Sequence, residues 1–450
     1  MTPIHTSLYF LGGYREQGRS CLALEVDNNI YVFDAGIKKT YKEGYYGEPP
    51  YIDLIDPSKI KALFISHLHE DHIVMAPYLV KKGFNGPIYM NKPTYELGSK
   101  HWYKWAKIFE EDGRKIYTPE DVDETKKLVK IIKEGESIDE HNIRVKFYPS
   151  GHALGSTLID IELSNGYNIL YLADIAFGSN TLVDPIIPDK KYNIVIINSS
   201  YGDKIIDRKN SESIFIEQVI DVVRKGGIAL IPVTGIGRGQ ETLSIFLKYI
   251  DRVKEIKDLV IYIEDTIEKG FDVFKEYQEY MNPWFKKIVK KKIYKKKPIQ
   301  SFKQEEINDI LKNRPSVVLA TDLMLMGFSR KVFMKIKDDP RSAVFLTGYQ
   351  APGTFGRKLE DAISSQAFVY DGKVVVFKCK IFVIPIKMHF DLVDNLRTLQ
   401  KCGGNEIEYV ILHHGEEPNS LNLAYCLSKV FEPSKIVLPS VPSRLYIHVR

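Results

Sequence analysis

The sequence predicts a mixed α/β fold in which one domain is interrupted by a second and then completed. Three observations predict it. The first part of the chain alternates β-hairpin signals with helices, the middle alternates helices with continuous apolar strands, and the hairpin style then returns. Helix–strand alternation of the middle kind is the pattern of a parallel sheet. At 450 residues the chain is also longer than one simple core organises, so two domains are the default.

Taken in order, "CLALEV" and "IYVFDAG" read as two short strands joined by a polar turn and ending at Asp34. "IKALFIS" (60–66) is an apolar strand. "VKFYPSGHALGSTLIDIELSNGYNILYLAD" (145–174) is a hairpin turning at Asn165-Gly166, which pairs residues whose numbers sum to about 331. From about 205, the helix "SESIFIEQVIDVVRKG" (211–226) precedes the strand "IALIPV" (228–233). "SVVLATD" (316–322) and "SAVFLTG" (342–348) continue that alternation. "FVYDGKVVVFKCKIFVI" (368–384) is again a hairpin, with an Asp-Gly turn. The expected division is 1–204 for the first part of the interrupted domain, 205–367 for the insert and 368–450 for the completion.

Composition narrows the function classes. No stretch approaches the roughly 20 apolar residues of a membrane span, and the N-terminus lacks the basic flank and long apolar region of a leader. The four cysteines are far apart and form no C-x-x-C, which argues against a disulfide framework or a thiolate zinc site and fits a reducing cytoplasm. A net charge of +5 is too small to define a polyanionic partner. "KKIVKKKIYKKK" (286–297), with eight lysines in twelve residues, is either a solvated surface or a patch that steers nucleic acid.

"ISHLHEDHIVMAPYL" (65–79) carries the chemistry, placing His67, His69, Asp71 and His72 within six positions. His67 and His69, two apart at a strand end, point the same way, and Asp71 and His72 follow where the chain enters a helix. Nitrogen and oxygen donors in one compact loop suit zinc. The hairpin register sets Asp174 across from about Thr157, beside the loop carrying His152, so these two join as candidate ligands. "YVILHHGEE" (409–417) ends a strand on His413 and His414. Alternation lets one of the two point into the site, not both.

Over nearly its whole length the sequence resembles the β-CASP branch of the metallo-β-lactamase nucleases, a family that includes archaeal RNase J and the cleavage and polyadenylation specificity factor endonuclease. His67-Leu-His69-Glu-Asp71-His72 matches the family's H-x-H-x-D-H, and Asp34 in "FDAG" its first motif. "SGHALGS" supplies His152 and "YLADIAF" supplies Asp174. "PVTGIGRGQETL" (232–243) and "TGYQAPGTFGRKL" (347–359) look like β-CASP segments. "MHFD" places His389 at motif B and "LHHGE" places His414 at motif C. The resemblance implies a metallo-β-lactamase αββα sandwich interrupted by an α/β β-CASP domain with a parallel sheet. It implies two zinc ions, one held by His67, His69, His152 and a bridging Asp174, the other by Asp71, His72, Asp174 and His414. The implied activity is hydrolysis of single-stranded RNA, endonucleolytic, 5′→3′ exonucleolytic or both, in the cleft between the domains. His389 would protonate the leaving 3′ oxygen and leave a 5′-phosphate.

One position departs from the pattern. Motif A is acidic in the family, and here Asn198 occupies it, so either activity is reduced or Asp203 takes over. Substrate phosphate candidates are Arg238, Ser329, Thr347 and Arg357, with Arg330 beside Ser329. The glycine-rich turn at Gly235, Gly237 and Gly239 offers amides at a helix N-terminus. A DNA nuclease of the repair type and a weakly active or non-catalytic RNA-binding subunit are the alternatives, and a homodimer is admitted.

Overall fold

A computed structural model describes residues 5–42, 45–250, 256, 259–324 and 327–448. The outermost residues of the expected first and last segments, 1–4 and 449–450, lie outside these. The chain forms two compact units: Met1–Phe177, Asp184–Ile205 and Met388–Arg450 in the first, Gly178–Val183 and Ile206–Lys387 in the second.

The first unit holds two seven-stranded sheets. One runs Ser443–His448, His5–Gly12, Cys21–Val26, Asn29–Phe33, Ile60–Phe64, Ile88–Asn91, Val129–Ile132. The other runs Ile436–Val437, Tyr409–His413, Ile194–Asn198, Asn168–Tyr171, Thr157–Leu163, Ile143–Pro149, Ser137–Glu140. Alternation along each strand divides its side chains between two faces. Leu22, Leu24, Tyr31, Phe33, Val145, Phe147, Ile159 and Ile161 share the core between the sheets. Ala23, Val32 and Leu63 face outward under Trp102, Trp105 and Phe109 of the helix Lys92–Glu111. Leu158, Leu170 and Leu412 face outward under Leu399 of Leu392–Lys401 and Leu423 of Glu417–Leu427. The result is the expected helix–sheet–sheet–helix sandwich.

Turn chemistry sets the strand registers. Asp27 and Asn28 both adopt left-handed backbone, φ 48° and 65°, and Val26 pairs with Asn29, as a two-residue hairpin turn requires. The hairpin at Asn165-Gly166 differs from expectation by one residue. Leu163 N–H donates to the Tyr167 carbonyl, and Gly166, at φ 85°, closes a three-residue loop. Paired residues therefore sum to 330, as in Ile159 with Tyr171. The extra loop residue is a common alternative to the two-residue turn at the same Asn-Gly signal.

The second unit carries a six-stranded, wholly parallel sheet, ordered Ile299–Phe302, Val260–Glu264, Ser316–Thr321, Ile228–Val233, Ala343–Leu346, Lys380–Val383. Its end differs from the expected 367. Lys380–Val383 pairs in parallel with Ala343–Leu346, and Phe368, Val375 and Phe377 pack into this unit's core. The hairpin signal there is real, with Ala367–Tyr370 against Lys373–Val376. Its allegiance, however, is set by long-range pairing that no local pattern reports. Residues Gly178–Val183 also join this unit, through the bridge between Leu182 and Met281 and the Asn282 N–H to the Thr181 carbonyl at 3.1 Å. Among the described residues no helix is long and apolar enough to cross a membrane.

Candidate metal centre

Every metal-ligand candidate sits at or just beyond a strand terminus of the first unit. His67, His69, Asp71 and His72 follow Ile60–Phe64, His152 follows Ile143–Pro149, Asp174 follows Asn168–Tyr171, and His414 follows Tyr409–His413. Backbone pairing fixes the histidine loop against the Asp34–Gly36 segment. The Ala35 N–H donates to the His72 carbonyl and the Ser20 N–H to the Asp71 carbonyl, each at 2.8 Å. Gly36 is required by this approach, since a Cβ there would lie 1.7 Å from the Asp71 carbonyl oxygen. Three non-glycine residues at these turns have left-handed backbone: Asp34 at φ 60°, Ala173 at 47° and His414 at 56°. Such conformations persist only where the surroundings enforce them. At His414 the turn also separates the two histidines: His413 points into the core against Tyr14 and Tyr171, while His414 joins Asp71 and Asp174.

The donor atoms converge. Nε2 of His67 and Nε2 of His152 each lie 3.1 Å from Nδ1 of His69. Oδ2 of Asp174 is 3.4 Å from His152 Nε2 and 3.7 Å from His67 Nε2. Tetrahedral donors around zinc with bonds of about 2.0–2.1 Å stand roughly 3.3 Å apart, so this set has the spacing of a ligand shell. All four residues offer atoms within 4.8 Å of one another, as do Asp71, His72 and His414. Asp174 reaches the second set too, with Oδ2 3.6 Å from His72 Nε2 and Oδ1 3.3 Å from His414 Nδ1. A further grouping, which sequence reasoning did not foresee, joins Asp174, His389 and His414.

Protonation follows burial and charge. Burial, reinforced by neighbouring imidazoles, keeps His67 well below the usual histidine range and His69 down at about 3, and burial also lowers His152. These three are neutral donors at pH 7. Burial disfavours charge on His72 as well, but Asp34 and Asp174 outweigh it and raise His72 to about 9. His414 is raised against burial by Asp174 and Asp71. Burial works against ionised Asp71 and Asp174 too, yet the surrounding histidines hold both carboxyls below their ordinary range.

Asp34 orients His72 rather than joining the donors. It accepts from His72 Nδ1 at 2.8 Å, the Ser66 N–H at 2.7 Å, the Ser66 hydroxyl at 2.8 Å and the Tyr171 hydroxyl at 2.9 Å. His152 is fixed by its Nδ1 against the Met388 carbonyl at 2.7 Å, and the Ser200 hydroxyl lies 3.2 Å from His414 Nδ1. Ser66, Tyr171, Ser200 and the Met388 carbonyl were missed by sequence reasoning. Ser66 and Tyr171 stood beside recognisable motifs, but nothing in sequence marks a backbone carbonyl as a ligand's anchor.

Asn198 ends the strand Ile194–Asn198 and is fully buried. Its Nδ2 donates to Asp174 Oδ1 at 2.9 Å and lies 3.4 Å from Nδ1 of both His389 and His414. Its Oδ1 accepts the Ser200 N–H at 2.9 Å. Asp203 does not take over: it is exposed and accepts from Asn422 at 3.4 Å.

The four phosphate candidates all belong to the second unit. Arg238 donates to the Thr347 carbonyl at 3.0 Å, and Arg357 to the Gln350 carbonyl at 2.7 Å. Ser329 is buried, its hydroxyl donating to the Asp322 carbonyl, and Thr347 is buried as well. The glycine-rich turn bonds three of its amides internally. Gly237 N–H donates to Gln240 Oε1, Arg238 N–H to the Thr234 hydroxyl and Gly239 N–H to the Thr234 carbonyl. These three amides are therefore already bonded within the turn.

Stacked sheets with a cluster of histidines and carboxylates able to bind metal at their strand ends are the architecture of the metallo-β-lactamase superfamily, whose model matches residues 14–210. A model of the Beta-Casp domain matches residues 240–359. An RNase J-like protein of Methanocaldococcus jannaschii is 30% identical over 432 residues, covering 94% of this chain and 96% of that one. The transcription termination factor FttA of Pyrococcus abyssi is 29% identical, covering 94% of this chain and 68% of its own. Endoribonuclease YSH1 of Kluyveromyces lactis is 29% identical over 92% of this chain, which spans 56% of its length. A solved structure of a protein of unknown function from Enterococcus faecalis V583 shares the fold, with a TM-score of 0.56 at 13% identity, covering 98% of this chain and 100% of that one. The chain belongs to the β-CASP family of metallo-β-lactamase-fold nucleases.

Proposed function

We propose that the protein is a metal-dependent ribonuclease that hydrolyses RNA phosphodiester bonds at a two-zinc centre and leaves 5′-phosphate products. The observation that carries this reading is the Asp174 carboxylate, whose two oxygens approach imidazoles of both donor sets. One ion would be held by His67, His69, His152 and Asp174, the other by Asp71, His72, Asp174 and His414. When bound, zinc supplies Lewis acidity toward phosphate oxygens and lowers the pKa of water. Similarity to proteins named RNase J-like and endoribonuclease supports RNA as the substrate.

The chain's own residues do the rest. Asp34 holds the His72 ring so that Nε2 faces the donor set. His389, whose side chain is 16% exposed, presents Nδ1 toward Asp174 and Asn198. Its Nε2 is the atom that would deliver a proton to the leaving 3′ oxygen. Asn198 positions His389 by contact and supplies no charge.

Metal-stripped protein is assayed on RNA and on DNA of identical sequence, with and without restored zinc, beside a His69→Ala variant. Zinc-restored cleavage of RNA, lost in the variant and yielding 5′-phosphate ends, is expected. Cleavage that persists unchanged in His69→Ala, or acts on DNA alone, rejects the reading.

A further inference from the structure

The lysine block that the metal chemistry leaves unexplained lies in the second unit. The helix Pro283–Lys290 turns Phe285, Ile288 and Val289 into the core. That leaves Lys287 and Lys290 on the solvent side, followed by exposed Lys291 and Lys292. Tyr294, stacked on Phe271 with ring centroids 4.0 Å apart, anchors the next turn, and Lys295, Lys296 and Lys297 are exposed beyond it. No acid interrupts residues 286–297.

Other lysines of this unit stand singly or pair with a neighbouring acid, as in Lys225 with Asp221 and Lys269 with Asp265 at 2.6 Å each. Among the described residues, Lys295 is the one lysine of the block that is paired, with Glu268 at 2.6 Å. Among the described residues the other seven have no anionic partner. Like charges this close repel within a Debye length of about 8–10 Å, so the arrangement is tolerated by the isolated fold rather than favoured by it. A polyanion with closely spaced charges is its electrostatic complement.

A second observation selects the polyanion. Trp284, on the same helix, is 39% exposed. It shares a helix face with Lys287 at the i, i+3 spacing, and Lys290 and Lys291 follow at the helix end. A wet indole beside phosphate-binding cations is the combination that takes single-stranded nucleic acid, because every base has a face to stack. An acidic peptide would satisfy the lysines and leave the indole unused.

We propose that the helix Pro283–Lys290 and the turn through Lys297 form a binding surface for single-stranded polynucleotide. Lys287, Lys290, Lys291 and Lys292 contact phosphates, and Trp284 stacks on a base. The choice of RNA as the strand rests on the ribonuclease reading; the surface does not.

The test is binding of a fluorescent single-stranded RNA to the full chain carrying His69→Ala, across a salt series. A poly-glutamate peptide of equal charge serves as competitor. Replacing the four lysines together by glutamine is expected to reduce the slope of log affinity against log salt by about 2 to 3, near 0.7 per lost phosphate contact. Trp284→Ala is expected to weaken binding about fivefold or more with the slope unchanged, and Trp284→Phe to restore most of it. Unchanged affinity and slope in both variants overturn the surface, as does poly-glutamate competing as well as RNA. Cleavage by protein with His69 intact is read separately. Retained cleavage with unchanged binding rejects the surface alone, whereas lysine-dependent binding without any wild-type cleavage rejects the ribonuclease reading alone.

Discussion

Asn198 donates its side-chain amide to Oδ1 of Asp174 at 2.9 Å, at a position where the sequence resemblance implies an acid. An amide can donate to that carboxylate; a second carboxylate cannot unless protonated. Asn198→Asp therefore sets two like charges side by side in a fully buried position and raises the pKa of one of them. Metal-free protein is expected to lose about 1–3 kcal/mol of stability. On the two-zinc reading, zinc-loaded protein is expected to recover that loss, because the cations would neutralise both groups, and its hydrolytic rate is expected to equal or exceed wild type. Thermal unfolding with and without zinc, beside the cleavage rate, checks both halves. A large loss of rate in zinc-loaded Asn198→Asp would show that the amide itself is needed.

Asp34 is the next point of leverage. Its Oδ2 receives His72 Nδ1 and the hydroxyls of Ser66 and Tyr171. Asn keeps the shape but offers one acceptor oxygen, so Asp34→Asn leaves at least one donor facing an N–H₂. Removing such an outer-shell partner costs about 10- to 100-fold in metal affinity. Zinc affinity measured by chelator competition should fall by that much while every proposed donor side chain remains. Affinity within twofold of wild type would mean that His72 is held by packing alone.

Metal uptake should be coupled to protons, and the shifts fix the sign. His72 is raised to about 9, so in metal-free protein its imidazolium stabilises the fold fully below about 6.5, and this contribution is lost as pH rises through about 9. His414 is raised too, whereas His67, His69 and His152 are already neutral at pH 7. Zinc binding at pH 7 is expected to release at least about one proton per chain. The release should decline toward zero above pH 9, with affinity rising between pH 7 and 9. Titration calorimetry in buffers of different ionisation enthalpy measures this directly, and no proton release at pH 7 would contradict the assignment of His72.

What sequence could reveal divides along physical lines. His67, His69, Asp71 and His72 were legible because strand alternation and a short loop force their convergence. His152 and Asp174 were legible because hairpin register is local, although the three-residue loop moved that register by one. The choice between His413 and His414 was not legible from alternation alone; it depends on the left-handed turn at His414. Long-range pairing hid more. The strand Lys380–Val383 reads as part of a returning hairpin but pairs in parallel with Ala343–Leu346. The glycine turn before Arg238 reads as an anion cradle, yet Thr234 and Gln240 take up the amides of Gly237, Arg238 and Gly239.

The same G-R-x-Q-E stretch supplies the last prediction. Glu241 is 2% exposed. It accepts from the Asn180 N–H at 2.7 Å, the Ser179 hydroxyl at 2.9 Å and the Thr181 hydroxyl at 2.7 Å, and it pairs with Arg208. It thereby holds residues 178–183 within the second unit. Burial disfavours its charge, but Arg208 and these donors outweigh burial and lower its pKa below 4.5. A depressed carboxyl contributes stability that is present above the unfolded value of about 4.3 and disappears as pH falls through the folded one. Glu241→Gln keeps the size but leaves the buried Arg208, among the described residues, with only Glu212 as a carboxylate partner at 3.1 Å. It is expected to cost about 3 kcal/mol at pH 7. The deficit should shrink as pH drops below about 4, because wild type then loses the same charge. Denaturant unfolding of both proteins from pH 7 to pH 3 checks the convergence. A deficit that stays constant across that range would assign the loss to packing rather than to the ionised carboxylate.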